Sequence, residues 1–454
     1  MITLTLKEMA TALNGQLIGE DLKISSVSTD TRKIEQDCLF IALKGERFDA
    51  HDFLESAVTN GAKAVLVSQV LDIPVPQLVV KDTRSALGQL GAYVRSKLNI
   101  KAVAITGSNG KTSVKEMLAT ILKQSHKVLY TAGNFNNDIG APLTLLRLEE
   151  DDEFGVFELG ANHRGEIDYT SALVKPQVAV VNNVGQAHIE GFGSIEDVAM
   201  AKSEIYNHLS SDGVAVINAD DAFAEQFKAA SKHHKQLCFG IDNKADVMGI
   251  NLHPNALGQY QFTLCYQEQK EVVQLPLNGK HHVNNALAAA SMALALDIPL
   301  KEVVSGLQQA QAVSGRMQST QIEHLHLIDD SYNANPSSVR AAIDWLAQQS
   351  NYRILVLGDF SELGADTDRL HREIGEYAKS LHLDDVLTLG DKSQATSTQF
   401  GGQHYTELEA ITDALVAKVK QQKTITILVK GSRSAAMERV VNSVKSAYER
   451  GEWK

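Results

Sequence analysis

The sequence of 454 residues has few cysteines and no excess of basic charge. Its three cysteines, Cys38, Cys238 and Cys265, are odd in number and far apart, which is typical of free thiols in a reducing compartment. The formal net charge of −12 argues against a general nucleic-acid binder, because such proteins usually carry a basic excess or stripe. A small anionic substrate stays compatible with this charge, since it needs only a locally basic pocket.

The sequence also has no long hydrophobic run. The most apolar helical stretch, Ala286 to Leu296, is shorter than the ~20 residues that a bilayer span needs. Met1 to Lys7 lacks the basic region and apolar core of a signal peptide. Internal repeats, low-complexity segments and long charge blocks are absent too. We therefore expect a soluble, cytoplasmic monomer that binds neither nucleic acid nor membrane.

What is present is an ordinary globular composition, with 44% hydrophobic and 22% charged residues. The length exceeds one ordinary core, and the patterning divides it into three α/β blocks. We predict a small N-terminal α/β domain over residues 1–84, a central domain with a P-loop and a mostly parallel sheet over 85–313, and a Rossmann-like C-terminal domain over 314–454. The predicted strands are Cys38 to Leu43, Ala64 to Ser68, Gln77 to Val80, Ala102 to Ile105, Gly155 to Glu158, Gln177 to Val181, His324 to Ile328, Arg353 to Leu357, Asp385 to Leu389 and Thr424 to Val429.

A phosphate-binding loop follows the strand that ends at Ile105. Thr106 to Ser113 reads Thr-Gly-Ser-Asn-Gly-Lys-Thr-Ser and leads into a helical pattern. In a strand–turn–helix, backbone N–H groups and the helix dipole favour an anion, and Lys111 adds a charge on the terminal phosphates. The Thr112 hydroxyl would bind Mg²⁺. This context makes an ordinary strand–helix turn the weaker interpretation.

Two further polar residues follow neighbouring strands. Glu158 ends the strand from Gly155, and His188 lies in the loop after the next strand. Open α/β sheets bind ligands at the carboxyl ends of their strands, so Glu158 is a candidate Mg²⁺ ligand, although a solvated loop acid is the alternative. A lone loop histidine such as His188 is more often a surface or hydrogen-bonded residue than a metal ligand.

A lysine is predicted on the apolar face of a helix that begins after Ser194, with a capping box to Asp197. Helical spacing places Lys202 on one face with Val198, Ala201, Ile205 and Leu209. A buried, unpaired ammonium is costly, so Lys202 should be paired, neutral or modified. From spacing alone, a lysine whose amine reaches the surface is the more common explanation.

The loop has two residues between Gly107 and Gly110, where the usual P-loop has four. Gly-x-x-Gly-Lys-Thr resembles the Mur ligase and folylpolyglutamate synthase superfamily, whose members form amide bonds through an acyl phosphate. The resemblance implies ATP and Mg²⁺ as cofactors, with two metal sites. It also implies that Lys202, within Ala201 to Ile205, is carbamoylated by CO₂ and binds metal. The implied catalytic residues are Lys111, Glu158, His188 and Lys202, and the implied metal ligands are Thr112, Glu158, His188 and carbamoylated Lys202.

The resemblance extends to the nucleotide site. Asn278 to Ala290 matches the family segment that lies near adenine through His281 and Asn285, with His282 in place of the usual Asn. Arg316 and Asp330 match residues that meet the nucleotide when the third domain closes. The implied ATP-binding residues are Thr106, Gly107, Ser108, Asn109, Gly110, Lys111, Thr112, Ser113, His281, Asn285, Arg316 and Asp330.

Other segments in all three blocks resemble the branch of the family that adds D-alanyl-D-alanine to UDP-N-acetylmuramoyl-tripeptide. They include Gly133 to Gly140, Ile328 to Pro336, Leu357 to Gly364 and Lys430 to Ser434. In the first block, Ser28 to Arg32 resembles the segment that holds the UDP group. The implied substrate-binding residues are Ser28, Thr29, Asp30, Arg32, Arg47, Asn134, Asn137, Asn162, His163, Tyr332, Asn335, Lys430, Ser432 and Arg433.

Two alternatives stay open from the sequence. Another ligase of the superfamily, which adds a single amino acid or is a folylpolyglutamate synthase, would share the middle block. A P-loop ATPase that acts as a motor or switch would turn over ATP without an amide product. A pure binding module is disfavoured, because ligands for two metals would serve no purpose there.

Overall fold

The computed structural model describes residues 1–45, 48–186 and 189–453. Within these ranges the chain forms sheets of five, nine and six strands and a two-stranded ladder. The three large sheets follow one another along the chain, each with helices packed against it. This arrangement confirms the expected three-part α/β architecture. No helix in the described residues is long and apolar enough to cross a membrane.

Outside residues 46 and 47, the N-terminal part forms seven short strands and two α-helices. The strands are β1 (Leu4–Thr5), β2 (Gln16–Ile18), β3 (Lys23–Ile24), β4 (Ser26–Ser28), β5 (Cys38–Ile41), β6 (Ala64–Val67) and β7 (Gln77–Val79). The helices are α1 (Leu6–Ala12), a 3₁₀ turn (Ala50–Phe53) and α2 (Leu54–Thr59). The sheet order is β2-β7-β6-β5-β4, and only β2 runs antiparallel to its neighbour.

A long helix, α3 (Thr83–Lys97), joins the N-terminal part to the middle part. It begins with Asp82 as N-cap, whose carboxylate accepts the Ser85 N–H at 2.6 Å. On one side the Tyr93 hydroxyl donates to Glu8 of α1 at 2.8 Å. On the other side Gly91 lies against Pro142 of the middle part, where a Cβ would come within 3.1 Å of its Cα. The predicted boundary at residue 84 therefore falls inside the first turn of a helix that contacts both parts.

In the middle part, the described residues form nine strands and eight α-helices. The strands are β8 (Lys101–Thr106), β9 (Val128–Tyr130), β10 (Phe154–Glu158), β11 (Val178–Val181), β12 (Val214–Asn218), β13 (Lys235–Gly240), β14 (Val247–Pro254), β15 (Gln259–Tyr266) and β16 (Gln269–Asn278). The helices are α4 (Lys111–Leu122), α5 (Gly140–Leu145), α6 (Glu166–Val174), α7 (Ile189–Phe192), α8 (Ile195–Ser203), a 3₁₀ turn (Glu204–Tyr206), α9 (Ala224–Ala230), α10 (Lys280–Ala295) and α11 (Leu300–Gln308).

The nine strands form one mixed sheet in the order β16-β15-β14-β13-β12-β11-β8-β10-β9. The strands from β14 to β9 pair in parallel, and β8, which carries the phosphate loop, lies between β11 and β10. Buried apolar runs such as Lys101–Thr106 are typical of strands covered on both faces. At the far edge β15 and β16 are antiparallel, and the sequence patterns did not predict this extension.

The C-terminal part contains six strands and five α-helices. The strands are β17 (Gln318–Ile322), β18 (Leu325–Asp330), β19 (Tyr352–Gly358), β20 (Asp385–Leu389), β21 (Gln403–Tyr405) and β22 (Ile425–Lys430). The helices are α12 (Pro336–Ala347), a 3₁₀ turn (Gly364–Asp366), α13 (Thr367–Ser380), α14 (Gln394–Phe400), α15 (Leu408–Gln421), a 3₁₀ turn (Arg433–Ala435) and α16 (Glu438–Glu449). The order is β17-β18-β22-β19-β20-β21, with only β17 antiparallel.

The segment after β22 differs from the prediction. The sequence predicted that a helix starts at Lys430 to Arg433, but a 3₁₀ turn occupies Arg433–Ala435 and α16 begins only at Glu438. Ala436 adopts a left-handed conformation with φ of 49°, which separates the turn from the helix. Arg433 consequently lies on a short turn and not at the N-terminus of α16.

The C-terminal part contains a buried histidine, His371, that is hydrogen-bonded through both ring nitrogens. His371 on α13 accepts the Phe360 N–H through Nε2, and its Nδ1 lies 2.8 Å from the Thr396 hydroxyl, which fits a neutral ring protonated at Nδ1. Burial lowers the pKa of His371 to about 4. The unfolded chain, with a pKa near 6.5, therefore binds the proton first as pH falls.

We expect this histidine to stabilise the fold fully above pH 6.5 and to lose its contribution between pH 6.5 and 4. The loss should reach roughly 3 kcal/mol, since each pKa unit corresponds to about 1.4 kcal/mol. Urea unfolding at several pH values should show a shallower acid-side slope for His371→Leu than for the wild type. His281, His282 and His326 also have lowered pKa values and contribute to the slope of both proteins. The quantity to measure is therefore the difference in slope between the wild type and His371→Leu. Equal slopes would contradict this prediction.

Candidate active site

The turn between β8 and α4 has the conformation of a phosphate-binding loop. Gly107 and Gly110 have φ of 153° and 79°, and α4 begins at Lys111. A Cβ at Gly110 would lie 2.3 Å from the Asn285 side-chain oxygen, so the position requires glycine for space as well as for conformation. The first N–H groups of α4 are thus open to an anion at the carboxyl end of the sheet.

The predicted phosphate lysine lies over this loop. The Lys111 Nζ donates to the Gly107 carbonyl at 2.7 Å. Burial lowers the pKa of Lys111, the nearby Arg316 lowers it further, and Glu158 opposes the shift. A polyphosphate in the loop would supply the negative charge that favours the charged amine.

Side-chain oxygens that could bind a cation lie beside the loop. The Thr112 hydroxyl donates to Glu158 Oε2 at 2.9 Å, and the Asn136 amide donates to Glu158 Oε1 at 2.9 Å. The Arg316 guanidinium, from the C-terminal part, donates to the same Thr112 hydroxyl at 2.9 Å. Hydroxyl and carboxylate oxygens are the ligands that Mg²⁺ prefers, so these residues fit the ion.

Lys202 is buried at the end of α8, as its position on the apolar face predicts. Its residue is 2% exposed, and within residues 1–45, 48–186 and 189–453 its amine has no hydrogen-bond or ion-pair partner. Burial holds the pKa of Lys202 well below its usual range, and the charge of Lys111 lowers it further. This environment favours the neutral form of the amine, which faces the same cavity as Lys111 and Glu158.

Helix α8 begins as predicted at Ser194. Its hydroxyl accepts the Asp197 N–H at 3.1 Å. The reciprocal half of the predicted capping box differs, because the Asp197 carboxylate accepts from the Ser194 hydroxyl at 2.6 Å.

The C-terminal part supplies one wall of the site. The Arg316 guanidinium stacks on the Tyr332 ring, 4.1 Å from its centre. Asp330 forms an ion pair with Lys430 at 2.6 Å, and its other oxygen accepts the Met317 N–H at 3.1 Å. The two predicted ligand-binding residues Asp330 and Lys430 thus bind each other across two neighbouring strands, β18 and β22.

The predicted adenine segment lies at the start of α10. The ring of His282 bonds the Asn278 carbonyl through Nδ1 at 2.7 Å, so this histidine holds the turn before the helix. Asn285 accepts from the Asn182 amide at 3.0 Å. Burial, His282 and Lys430 hold the pKa of His281 well below its usual range, so its ring is neutral.

These groups surround one cavity of about 470 Å³ between the middle and C-terminal parts. Most of the predicted ATP, metal and substrate residues line it. They are Ser108, Asn109, Gly110, Lys111, Thr112, Ser113, Asn134, Asn137, Glu158, Asn162, Lys202, His281, Asn285, Arg316, Asp330, Tyr332, Asn335 and Lys430.

Three family models match consecutive stretches of the chain. They are the Mur ligase family catalytic domain over residues 23–125, the Mur ligase middle domain over 105–293 and the Mur ligase glutamate ligase domain over 315–433. The UDP-N-acetylmuramoyl-tripeptide–D-alanyl-D-alanine ligase of Escherichia coli (strain K12) is 48% identical over 98% of this chain and 99% of its own length. The chain belongs to the Mur ligase family.

Solved Mur ligases have the same architecture over the whole chain. MurF from Acinetobacter baumannii is 38% identical, covers 98% of this chain and 99% of its own, and has a TM-score of 0.94. MurF from Thermotoga maritima, solved in complex with ADP, is 26% identical, covers 94% of this chain and 98% of its own, and has a TM-score of 0.84. The family membership therefore rests on all three parts of the chain.

Some predicted residues of this Mur ligase lie away from the cavity. Asp30 and Arg32, in the turn after β4, form a two-point ion pair with both distances 2.9 Å, and the pair lowers the pKa of Asp30 to about 2. His163 bonds Glu166, and Arg433 bonds Glu438 at 2.9 Å. The predicted residues not among the lining residues are Ser28, Thr29, Asp30, Arg32, Thr106, Gly107, His163, Ser432 and Arg433. The predicted Arg47 and His188 lie outside the described residues.

The predicted metal site of this Mur ligase is only partly described. Among the described residues there is no group of three or more His, Cys, Asp and Glu side chains that could hold a metal ion. Thr112 and Glu158 are in direct contact, and Lys202 opens onto the same cavity, whereas His188 lies outside the description. A cation here would rely on oxygen ligands, which a carbamate on Lys202 would add.

Three asparagines at the site were missed from the sequence: Asn136 and Asn183 line the cavity, and Asn182 contacts the phosphate loop. Asn136 binds Glu158, and Asn182 and Asn183 hold the phosphate loop through the Asn109 carbonyl at 2.9 and 3.1 Å. Asn182 and Asn183 follow β11 directly, so the rule that parallel strands present ligands at their carboxyl ends would have found them. Asn136 follows no long apolar run and gave no such signal.

Replacing Asp330 by asparagine should raise the apparent KM for ATP, by roughly tenfold, and should lower kcat less. The change leaves the Lys430 ammonium without its carboxylate partner, which loosens the side of the cavity formed by the C-terminal part. We expect the lost ion pair to weaken ATP binding by on the order of 1–2 kcal/mol. Steady-state kinetics with varied ATP measure it. The matched control is Asp329→Asn, because the Asp329 carboxylate bonds only Ser331 among the contacts described. Unchanged ATP kinetics in Asp330→Asn would count against closure through this residue.

Proposed function

We propose that this chain is an ATP-dependent ligase that joins D-alanyl-D-alanine to UDP-N-acetylmuramoyl-tripeptide, with ADP and phosphate as the other products. The observation that carries the proposal is the single cavity where the phosphate loop, Glu158, Lys202 and the C-terminal Arg316 meet. The relative from Escherichia coli, 48% identical over 98% of the chain, bears the name of this activity. Its full-length match favours this ligase over a sister enzyme or an ATPase without amide product.

The chemistry proceeds in two steps through an acyl phosphate. A tripeptide carboxylate oxygen attacks the γ-phosphorus of ATP, the bond between that phosphorus and the β–γ bridging oxygen breaks, and ADP leaves. The amine of D-alanyl-D-alanine then attacks the acyl carbon, phosphate leaves with the electron pair of the C–O bond, and the nitrogen loses a proton. Lys111 and Arg316 neutralise charge on the transferring group, and the enclosing wall of the C-terminal part excludes water from the intermediate.

Mg²⁺ would be held by Thr112 and Glu158, and it would neutralise phosphate charge during transfer. We further propose that Lys202 carries a carbamate. Burial favours the neutral form of its amine, and this form attacks CO₂, forming an N–C bond and releasing one proton. The product is a carboxylate in place of an amine, and together with Glu158 and His188 it would supply ligands for a second Mg²⁺, which would neutralise further phosphate charge.

The remaining predicted residues divide between the two substrates. Ser28, Thr29, Asp30, Arg32 and Arg47 would bind the UDP group, and Asn134, Asn137, Asn162 and His163 the muramyl peptide. Tyr332, Asn335, Lys430, Ser432 and Arg433 would bind the dipeptide. Both cations are ion-paired, Lys430 with Asp330 at 2.6 Å and Arg433 with Glu438 at 2.9 Å, but the Arg433 side chain is 61% exposed and therefore more accessible to the dipeptide carboxylate. The three cysteines are free thiols, which is typical of proteins in a reducing compartment. We therefore propose that the protein acts in the cytoplasm.

The test is phosphate release with ATP, Mg²⁺ and UDP-N-acetylmuramoyl-tripeptide, together with mass spectrometry of the product. D-alanyl-D-alanine should be required, whereas D-alanine, L-lysine and diaminopimelate should give background release. A product heavier by one dipeptide residue unit would establish the ligase. Release that requires a single amino acid would instead identify a sister ligase, and release that requires no acceptor would identify an ATPase.

A further inference from the structure

The phosphate loop is hydrogen-bonded to the C-terminal part through the side chain of Asn109. The Asn335 amide donates to Asn109 Oδ1 at 2.8 Å, and the Asn109 amide donates to the Ser337 hydroxyl at 3.0 Å. The Ser337 hydroxyl donates in turn to Asn335 Oδ1 at 2.8 Å. These three side chains form a closed ring of hydrogen bonds between residues more than 220 positions apart in sequence, and we call this ring the clasp.

The backbone of Asn109 is held separately by the middle part. Its N–H donates to Asn183 Oδ1 at 2.8 Å, and its carbonyl accepts from the amides of Asn182 and Asn183. The Asn109 N–H is therefore occupied by protein, and its side chain is directed toward the start of α12. These contacts set Asn109 apart from Lys111 and Thr112, whose side chains lie beside the loop and Glu158.

The other side of the clasp is the start of α12. Asn335 is the N-cap of this helix, where its Oδ1 accepts the Ser338 N–H at 2.9 Å, and Pro336 occupies the first turn. The same Asn335 side chain thus caps the helix with its oxygen and binds the phosphate loop with its amide. The capping bonds fix the orientation of the Asn335 side chain, so that its amide faces Asn109.

A second contact at the same place shows how closely the two parts approach. A Cβ on Gly185 would lie 2.6 Å from the Ser337 hydroxyl oxygen and 3.5 Å from its Cβ. Gly185 also exchanges two hydrogen bonds with Ser108 of the phosphate loop, at 2.9 and 3.1 Å. The start of α12 therefore packs directly on the loop that supports the phosphate-binding turn.

We propose that Asn109, Asn335 and Ser337 are positioning residues that hold the C-terminal part closed on the loaded phosphate loop. This inference rests on the proposed function, and it reassigns Asn109 and Asn335 from direct ligand binding to domain closure. The clasp can form only when Arg316 is brought to the loop, because Arg316 and α12 belong to the same part of the chain. Loss of the clasp therefore lowers the fraction of enzyme in which Arg316 reaches the phosphates.

The kinetic test is a double-mutant cycle of Asn109→Ala and Ser337→Ala. Each single variant should lower kcat by roughly tenfold and leave the dissociation constant of ATP within about threefold, since a few neutral hydrogen bonds are lost. The double variant should lose little more than either single variant, because both break one ring. Multiplicative losses, or a loss confined to ATP affinity, would overturn the clasp.

A readout of closure that needs no turnover comes from Trp345 on α12. Its indole N–H donates to the Leu257 carbonyl of the middle part at 3.2 Å, and the residue is 1% exposed. The chain has two tryptophans, so Trp453→Phe leaves Trp345 as the single reporter. With ATP and Mg²⁺ present, the acrylamide quenching constant of Trp345 should be at least about twofold higher when Asn109→Ala or Ser337→Ala is combined with Trp453→Phe than in Trp453→Phe alone.

Ser338→Ala is the matched control. It removes the capping partner of the Asn335 N–H on the same helix, and its described bonds stay within that helix start. It should lower the melting temperature without raising Trp345 quenching. Equal quenching in the wild type and the clasp variants would overturn the inference. Failure of the wild type to form an amide product would overturn the proposed function, but the quenching comparison could still be interpreted because it needs no turnover.

Discussion

Replacing Lys202 by alanine should lower kcat about a thousandfold, and millimolar acetate or formate should restore a measurable part of the activity. The structure buries this amine without a partner in the described part of the chain and beside the charge of Lys111. An unmodified lysine there offers no oxygen atom to a metal ion, whereas a carbamate would add two. Losing the group that holds a transition-state charge typically costs 10²–10³-fold or more.

Rescue by an added acid depends on the volume that the substitution of Lys202 leaves empty. Lys202→Ala leaves room for a small carboxylate where the carbamate would end, so the added acid supplies the missing oxygens. Lys202→Met is the matched control, because it removes the amine but fills the same space, and we expect low activity without rescue. Full activity of Lys202→Ala without additive would rule out the carbamate. Low activity that no acid restores in either variant would point to a role in packing.

Replacing Arg316 by alanine should lower kcat/KM for ATP by roughly 10³-fold, with most of the loss in kcat. Arg316 reaches across from the C-terminal part to the Thr112 hydroxyl at 2.9 Å and stacks on Tyr332 at 4.1 Å. An arginine supplied on closure stabilises the charge of phosphoryl transfer, and such residues contribute about 10³–10⁵ to kcat. Arg316→Lys should recover little, because a lysine has one compact charge and lacks the planar surface for stacking.

The matched control for Arg316 is Arg340→Ala. Arg340, on α12, carries the same charge in the same part of the chain, but it pairs with Glu373 at 3.3 Å and stacks on Tyr377. It should change kcat/KM by less than about threefold. Pre-steady-state phosphate release separates the chemical step from product release in these variants. Comparable losses in the two arginine variants would show that net charge, and not closure by Arg316, limits the reaction.

The phosphate loop and most strands were predictable from the sequence because their signals are local. The prediction of Asp385 to Leu389 matches β20 residue for residue, and the predicted Ala102 to Ile105 lies within β8. Asn335 and Pro336 begin α12 as expected, since capping depends on residues within one turn. The antiparallel β15 and β16 were missed, because half-buried edge strands carry only a weak alternating pattern.

The sequence by itself determined the α/β architecture, the nucleotide loop, the family and the placement of Lys202 on the buried face of its helix. The strands, the nucleotide loop and the position of Lys202 follow from residues within about 15 positions, where helix and strand geometry fixes which side chains are neighbours. The family follows from several such local motifs spread over all three parts of the chain. Only the tertiary structure decided that Asp330 pairs with Lys430, that Arg316 meets Thr112, and that Asn109 joins Asn335 and Ser337. These contacts join residues 100 to 228 positions apart, and their formation depends on how whole sheets pack across the cavity, which no local pattern encodes.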